Sequence, residues 1–372
     1  MNFGFSEEQD LLRNEVRKYL DQQCPLDVVR QIMETPSGYS PEQWKQLGEL
    51  GFLGLTLPEE FGGAGLGWVD LVVVLEETGR SLFPSPLIST TLTGAAILDA
   101  GSAEQQQRWL PGIADGSVVG TVAVLEESDD LSLEGVQLRG KRDGDGYVLS
   151  GQKHFVADAG QADLFVVAFR TGDGLEDVSL ALVESSAVGV SVEETSTLDR
   201  TRRVGRLCLD GTPATLLGEV DSAGPAILRH LDRGAAAVTA EIIGVIEASL
   251  EITVQYAKDR IQFGSPIGRY QGVKHPLAEM YVDLECLKSL SYYAAWALDG
   301  SPDEVPTAVA EAKSFGALAV TQAGITAIQL HGAVGYTEEY DIQLYLKRSK
   351  WARPFYGDET HHQERIASLG GY

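Results

Sequence analysis

The sequence predicts an α+β fold in which a β domain is inserted between two helical domains. Apolar residues recur at helical spacing up to about residue 120, short β-branched runs follow, and the helical period returns after about residue 225. We therefore expect domains at 1–120, 121–225 and 226–372. A chain of 372 residues is long for one core and suits two or three cooperating subdomains.

The first domain is expected to consist of helices joined by Gly/Pro turns. Ser6 can cap the first helix, because Glu7 and Glu8 then favour the positive end of its dipole. Apolar residues follow with helical spacing at Leu11, Leu12, Val16 and Leu20. Turn signals at 58–63 and 84–86 separate helical segments, and one helical pattern runs between them, over 69–82.

The second and third domains differ from each other in hydrophobic period. Five short β-branched or alternating runs predict strands at 121–125, 147–149, 164–169, 178–183 and 188–192. An Asp-Gly-Asp-Gly turn at 143–146 precedes the second of them. Helical patterns then predict helices over 235–256, 273–298, 305–331 and 339–351.

Charge and cysteine content exclude several classes of function. The formal charge of -25 disfavours nucleic acid and anionic membrane surfaces, so an anionic ligand requires locally placed Arg, Lys or backbone N–H groups. Cys24, Cys208 and Cys286 form no Cys-x-x-Cys pair, and adjacent His361 and His362 point to different sides of a helix or strand. We therefore expect a reducing compartment, no disulfides and no metal site.

The location of the protein is predicted from its N-terminus and its apolar runs. Residues 1–8 show no basic segment followed by an apolar stretch, so no secretory signal is expected. No uninterrupted apolar run is long enough to span a bilayer. We expect a cytoplasmic protein without membrane insertion.

Five short motifs occur in an informative order. They are Phe-Ser-Glu-Glu-Gln at 5–9, Leu-Pro-Glu-Glu-Phe-Gly-Gly at 57–63, Gly-Tyr-Val-Leu-Ser-Gly-Gln-Lys at 146–153, Arg-x-x-Phe-Gly-x-x-Ile at 260–267 and Gln-x-x-Gly-x-x-Gly at 329–335. In order and spacing the chain resembles the acyl-CoA dehydrogenase family over essentially its whole length. The resemblance implies a middle β-barrel or sandwich, a C-terminal four-helix bundle, FAD, an acyl-CoA substrate and a dimer of dimers.

In this family the FAD-binding site of one subunit is completed by residues of the neighbouring subunit. The resemblance assigns that role here to Arg260, Gln271, Gln329 and the loop of Gly332, Ala333 and Gly335, and Gln262 and Phe263 are further cofactor-binding candidates. We call all of these residues the donated elements. The planar fork of Arg suits phosphate oxygens, Gly allows close backbone approach, and Gln can both donate and accept hydrogen bonds. The alternative is that Arg260 favours a helix C-terminus and Gly335 makes a turn.

The flavin-facing segments depart from the family pattern. An acidic-Pro element followed by Gly-Ser-Asp is usual, whereas 125–131 reads Leu-Glu-Glu-Ser-Asp-Asp-Leu, which leaves Glu126 and Ser128 as candidates. The usual Trp and Thr are replaced by Phe155 and Ala157, with Val156 between them. Phe155 can stack on an isoalloxazine ring, whereas Ala157 offers only its backbone.

The segment that usually carries the catalytic base also departs from the family pattern. Many family members place a glutamate in a Tyr-Glu-Gly-Thr turn, where this chain has Gly357 followed by Asp358 and Glu359. Either carboxylate can serve if the turn is rearranged, or an acidic residue there can cap a helix. Other members place the base on the long helix that opens the C-terminal domain, at a position that falls near Gly234.

Glu241 is a further candidate for the base. Its helical neighbours are apolar or small: Ala237, Val238, Gly244, Val245 and Ala248. Burial raises the pKa of a carboxyl group toward the range that suits a general base. The alternative is a structural Glu that pairs with an Arg or a backbone group across the tetramer interface.

Three functions are compatible with these residues. The leading hypothesis is FAD-dependent α,β-dehydrogenation of an acyl-CoA to the trans-2-enoyl-CoA, with electrons passed to an electron-transferring flavoprotein, in a homotetramer. The second is a non-catalytic or half-site subunit of an α2β2 heterotetramer with a homologue that acts on steroid or bulky side-chain CoA thioesters. The third is another flavin oxidation, with Asp358 as the base.

Overall fold

The computed structural model describes residues 5–372. Residues 1–4, on which part of the prediction of no secretory signal rests, lie outside the described residues. Helices dominate both ends of the chain. They are α1 (Glu7–Gln23), α2 (Leu26–Ile32), α3 (Pro41–Glu49), α4 (Trp68–Arg80), α5 (Leu87–Ala100), α6 (Ala103–Asp115), α7 (Gly224–Asp259), α8 (Gln271–Gly300), α9 (Val305–His331), α10 (Ile342–Ala352) and α11 (Glu359–Leu369).

The strands lie mainly between α6 and α7, which confirms the predicted α, β, α order. They are β1 (Gly120–Ala123), β2 (Gly140–Asp143), β3 (Gly146–Ala157), β4 (Leu164–Arg170), β5 (Val178–Glu184), β6 (Val190–Thr195), β7 (Val204–Leu217), β8 (Ile261–Gln262) and β9 (Ser265–Pro266). The first seven form one sheet in the order β1-β4-β5-β7-β3-β2, with β6 also paired to β7. The β1–β4 pair is parallel, whereas the other pairs in this sheet are antiparallel.

Local sequence predicted some elements and missed others. Ser6 caps α1 as expected, and Gln9 completes a capping box with it. The longest missed element is β7, whose centre contains Asp210, Gly211 and Pro213, residues that usually signal turns. Pairing with β3, β5 and β6 stabilises β7 despite these residues, because cross-strand packing outweighs local propensity. β2 and α11 were also missed.

The chain forms two compact units. The helical unit comprises the chain up to Gln31, Trp68–Phe83 and Ala235–Tyr372, and the β unit comprises Ile32–Gly67 and Pro84–Gly234. The first 11 residues of α7 therefore belong to the β unit and the rest to the helical unit. The domain boundaries at 120 and 225, which follow changes in secondary structure, stay a prediction.

Two apolar clusters stabilise the β unit. All seven residues of β4 are buried, and alternate side chains enter different clusters. Val166 and Ala168 join side chains of α5, α6 and the start of α7, whereas Phe165 and Val167 join those of β3 and β7. A strand covered on both faces needs a continuous apolar sequence, which is what 164–169 shows.

In the helical unit, α9 packs against α8, α10 and α11. Among residues 5–372 the stretch Val305–Tyr336 is long and apolar enough to cross a membrane by length and composition, and its most apolar 18-residue window has a mean hydropathy of 1.2. Glu311 and Lys313 interrupt this stretch, so the expectation that no uninterrupted apolar run is long enough is not contradicted. The core helix of a bundle passes the same test, and the absence of membrane insertion stays a prediction.

Candidate functional site

Arg260 directly follows α7 and precedes a short hairpin made of β8 and β9. The hairpin turns at Phe263 and Gly264, which both have left-handed backbone angles, with φ of 52° and 75°. Phe263 is 93% exposed. Arg260 is exposed and its guanidinium makes no hydrogen bond or ion pair with residues 5–372. Arg260 and the hairpin that follows it therefore present an exposed cation and an exposed aromatic ring.

The second part of the donated elements follows α9. Gly332 has φ 66° and ψ -142°, a region that side chains other than hydrogen rarely allow. A Cβ on Gly335 would lie 3.0 Å from the Ile328 carbonyl oxygen, so this position is also crowded. Gln329, Gly332 and Ala333 are exposed. The backbone angles at Gly332 favour glycine although a Cβ would meet no atom within 4 Å, and close backbone approach to a ligand there stays a prediction.

His331 and Tyr256 connect these two elements. Their rings stack with centroids 4.3 Å apart, and the Tyr256 hydroxyl donates to the His331 carbonyl at 3.2 Å. His331 Nδ1 donates to the Ala327 carbonyl at 2.8 Å, and burial lowers the pKa of this imidazole. His331 therefore fixes the end of α9 against the end of α7. The structure gives His331 a positioning role.

In the β unit, a lysine that sequence reasoning missed holds the segment after β1. Lys153 is fully buried, and its Nζ donates to the Val124 carbonyl at 2.9 Å and to Glu126 Oε1 at 2.7 Å. The same oxygen accepts the amides of Gln137 and Leu138, each at 2.8 Å. Burial lowers the pKa of Lys153 to about 8. Glu126 was predicted to contact the cofactor, and its Oε1 accepts hydrogen bonds from three donors of the same chain.

Phe155 is the most exposed part of the predicted flavin-facing segment. It lies in a β-bulge of β3 between Lys153 and Val156, with φ 54° and 40% exposure. A bulky residue with positive φ is uncommon, and such positions cluster at functional sites. Val156 is buried, and the Ala157 carbonyl accepts the Thr121 hydroxyl at 2.7 Å. Of the three residues 155–157, Phe155 alone is exposed, and Ser128 is exposed as well.

Glu241 is buried in the helical unit, as its apolar neighbours predicted. Its Oε1 accepts the Thr78 hydroxyl at 3.1 Å, and its Oε2 lies 3.6 Å from Nη1 of fully buried Arg348. The alternative of an Arg partner is therefore observed, although Arg348 belongs to the same chain rather than to a neighbouring subunit. The catalytic role of Glu241 stays a prediction.

The two carboxylates near Gly357 also have partners. Asp358 Oδ1 accepts the His361 amide at 3.0 Å and caps α11, which is the alternative expected of an acidic residue in this turn. Glu359 Oε2 accepts Arg353 Nε at 2.8 Å, and this hydrogen bond holds the pKa of Glu359 below its usual value. Each of these two carboxylates therefore already accepts a hydrogen bond from its own chain.

Gly357 itself leaves no room for a side chain. It has φ 94°, and a Cβ would lie 2.6 Å from His361 Cδ2 and 2.9 Å from His362 Nε2. Buried Lys313 holds this turn by donating to the carbonyls of Ala352, Arg353 and Gly357 at 3.1, 2.8 and 2.7 Å. The turn at Gly357 is therefore held by Lys313 and crowded by His361 and His362, and its correspondence to the base-bearing turn of the family stays a prediction.

We expect His362 to make the protein less stable in acid. Its Nε2 donates to the Tyr356 carbonyl at 2.9 Å, and burial lowers its pKa from 6.5 to about 3. Between these values the unfolded chain binds the proton and the folded chain does not, so stability falls as the pH drops from 6.5 toward 3. In urea unfolding at a series of pH values, His362→Asn should reduce this slope by up to about 1.4 kcal/mol per pH unit. Exposed His275→Asn is the control, and an unchanged slope in His362→Asn would contradict the assignment.

Known proteins share this architecture. Sequence models of three families match the chain: Acyl-CoA dehydrogenase, N-terminal domain, at residues 6–117; middle domain, at 126–211; and C-terminal domain, at 224–369. Acyl-CoA dehydrogenase IpdE2 of Mycolicibacterium smegmatis is 32% identical over 97% of this chain and 98% of its own length.

Two solved structures are similar over nearly the whole chain. A variant of the Tcur3481-Tcur3483 steroid ACAD shares 34% identity with a TM-score of 0.89 and covers 98% of each chain. The ChsE4-ChsE5 complex from Mycobacterium tuberculosis shares 28% identity with a TM-score of 0.91, over 100% of this chain and 99% of that one. With this fold and these elements, the chain belongs to the acyl-CoA dehydrogenase family. It is an oxidoreductase acting on acyl-CoA.

The residues of the two units fit FAD to different degrees. The exposed Arg260 guanidinium and the backbone at Gly332 suit a pyrophosphate, so the donated elements fit the phosphate part of the cofactor. The β unit fits poorly, because 125–131 contains no glycine and Glu126 Oε1 is held by Lys153 and two backbone amides. The chain is therefore better suited to completing an FAD site than to forming the flavin-facing side.

Proposed function

We propose that this chain is one of two different subunits of an α2β2 acyl-CoA dehydrogenase, in which it completes the FAD site of a homologous subunit. The single observation that carries the proposal is the contrast between its two sets of candidate residues. Arg260 and Gln329 are exposed, whereas Glu241, Asp358 and Glu359 each already engage a group of the same chain. Such a chain can complete a site more readily than it can supply the base.

The names of its relatives support this assembly. Both similar structures cited above are named as pairs of proteins, Tcur3481-Tcur3483 and ChsE4-ChsE5. One of those names includes a steroid substrate class. We therefore propose a bulky acyl-CoA, with a steroid-derived thioester as the first candidate. The homologous subunit would provide the flavin-facing segment and the base.

The proposed reaction is α,β-dehydrogenation to the trans-2-enoyl-CoA, with an electron-transferring flavoprotein as the acceptor. FAD, when bound, supplies a flavin ring that accepts a hydride from the acyl β-carbon. In this reaction Arg260 binds phosphate oxygens, Gln329 and Gln271 provide hydrogen bonds to the cofactor, and Gly332 allows backbone approach. The His331–Tyr256 stack holds the hairpin and the α9 terminus in place.

Visible absorption of the purified protein tests this proposal. The chain is expressed alone and together with a homologous acyl-CoA dehydrogenase of the same organism, and flavin per chain is measured before and after anaerobic addition of straight-chain, branched and steroid-derived acyl-CoAs. We expect a colourless chain alone, and a flavin that bleaches in the mixed complex. A stoichiometric flavin that bleaches in the chain alone would overturn the proposal and favour the homotetramer.

Arg260→Gln should weaken FAD binding to the mixed complex about 10- to 100-fold, since a hydrogen bond to a charged group contributes about 1.5–3 kcal/mol. Arg260→Lys should give an intermediate loss, because Lys keeps the charge without the planar fork. Titration of the apo complex with FAD, followed by flavin fluorescence, gives the affinity independently of turnover. The exposed Arg269→Gln serves as the control, and equal affinity of Arg260→Gln and wild type would remove Arg260 from the site.

A further inference from the structure

A cavity of about 430 Å³ lies in the β unit. It is lined by four segments: β2, the start of β3, the loop that follows β4, and the segment between β7 and α7. This volume falls in the range of sites that hold small organic molecules. None of the lining residues belongs to the donated elements or to the candidates in the flavin-facing segments, so the cavity requires an explanation of its own.

A buried tyrosine contributes to the wall of this cavity. Tyr147 is 8% exposed and is one of the lining residues. Its ring packs against that of Phe169, with centroids 4.9 Å apart, in an apolar cluster that includes side chains of β3, β4 and β7. The Tyr147 hydroxyl makes no hydrogen bond within residues 5–372. Because buried hydroxyls normally have a partner, this one is available to a molecule in the cavity.

Two carboxylates line the cavity from different segments. Asp177 Oδ2 accepts the Gly174 amide at 2.7 Å, and Asp221 Oδ1 accepts the Thr171 hydroxyl. The second oxygen of each carboxylate makes no hydrogen bond in the described part of the chain, and neither residue forms an ion pair there. Each carboxylate is therefore held in place through one oxygen and can accept a hydrogen bond from a ligand through the other.

A cation lines the same cavity. Arg142 lies directly opposite Tyr147 in the β2–β3 pair, so the two side chains share one face of the sheet. The Arg142 guanidinium forms no ion pair with residues 5–372, and its Nε donates one long hydrogen bond of 3.4 Å to the Gly144 carbonyl. The cavity thus carries both signs of charge, and its charged groups do not pair with one another.

We propose that this cavity binds a small aliphatic α-amino acid. The ammonium group of such a ligand has three N–H donors, which match the available oxygens of Asp177 and Asp221 and the Tyr147 hydroxyl. The carboxylate of the ligand suits the planar guanidinium of Arg142. Val220, which is 47% exposed and lines the cavity, provides an apolar surface for an aliphatic side chain.

The two signs of charge disfavour simpler ligands. A carboxylic acid without an amine would bring its negative charge near Asp177 and Asp221, and an amine without a carboxylate would bring its positive charge near Arg142. A neutral molecule would leave all three charged groups of the chain without a partner. A ligand that carries an ammonium and a carboxylate satisfies both sets of groups.

The amino-acid site adds to the proposed function without depending on it. All of its lining residues belong to the β unit, and none of them is a candidate for the cofactor site. The chain should therefore bind the amino acid whether or not it carries flavin or a homologous subunit. The calorimetric measurement below and the flavin measurement above can each fail separately.

Isothermal titration calorimetry of the chain alone tests the site with three matched probes: L-norvaline, its deaminated analogue pentanoate and its decarboxylated analogue butylamine. We expect L-norvaline to bind about tenfold more tightly than either analogue, because each analogue lacks one charged group. Arg142→Gln and Asp177→Asn should each weaken the binding of L-norvaline about 10- to 100-fold. Tyr147→Phe removes only the hydroxyl and should weaken it about fivefold.

Lys141→Gln is the matched control, because exposed Lys141 precedes Arg142 on β2 and its side chain lies on the opposite face of the strand. This variant should bind L-norvaline as the wild type does. Circular dichroism and melting temperature confirm that each variant is folded. Absence of L-norvaline binding at millimolar concentrations, equal affinity for pentanoate or butylamine, or unchanged affinity in all three cavity variants would overturn the proposal.

Discussion

Arg348→Met is expected to lower the free energy of unfolding by about 3–5 kcal/mol, because it leaves Glu241 as a buried carboxylate without its cation. Arg348 and Glu241 are both nearly inaccessible to solvent, and their charged atoms lie 3.6 Å apart. Arg348 Nη2 also donates to the Leu82 carbonyl at 3.3 Å, a hydrogen bond that Met cannot replace. Urea unfolding followed by helical circular dichroism measures the loss.

A double-mutant cycle separates the pair from its surroundings. Glu241→Gln in the Arg348→Met background should recover part of the loss, because the neutral amide needs no buried cation. Exposed Arg269→Met is the matched control and should change stability by less than about 0.5 kcal/mol. If Arg348→Met is as stable as wild type, the pair contributes nothing to stability.

The same Glu241→Gln variant tests the general-base hypothesis. In the proposed mixed enzyme, turnover should be unchanged, since Glu241 is held by Thr78 and Arg348 of its own chain. Loss of turnover with FAD content and folding retained would instead return Glu241 to the mechanism. Flavin absorption and circular dichroism of the complex distinguish these outcomes.

Gly244→Ala is expected to destabilise the helical unit by about 3 kcal/mol, because α4 and α7 cross in direct backbone contact. A Cβ on Gly244 would lie 1.9 Å from the Glu76 carbonyl oxygen, and one on Gly79 would lie 2.1 Å from that of Glu241. Both obstacles are backbone atoms, so relief requires the helices to separate. Helix propensity offsets only about 1 kcal/mol of this cost.

Gly272→Ala on α8 is the matched control for the crossing. A Cβ there meets nothing within 4 Å and Gly272 lies in the first turn of α8, so the change should not destabilise the protein and should stabilise it by at most about 1 kcal/mol. Urea midpoints and slopes of both variants give the comparison. If Gly244→Ala proves as stable as Gly272→Ala, the helices can separate at little cost and the contact does not fix their spacing.

Elements with a strong local signal could be predicted from the sequence. Ser6 and Gln9 mark the start of α1 through hydrogen bonds within one helical turn. The apolar run 164–169 predicts β4, because a strand covered on both faces has no polar side. By contrast, β7 carries Gly211 and Pro213 and forms because three strands pair with it. The residues that stabilise β7 as a strand therefore lie in other segments of the chain.

For the candidate site, residue types and their spacing identify the candidates, whereas the partner of each side chain follows from the packing of the folded chain. Residue types and spacing identified Arg260, Gln329 and the glycine loop, and an apolar helical face predicted that Glu241 is buried. Only the structure showed that Glu241 has Arg348 as its partner, 107 residues later in the chain. It also showed that Lys153 donates a hydrogen bond to the Glu126 carboxylate. The physical reason is that burial follows from local periodicity, whereas an ion pair between distant residues depends on how the helices and strands pack.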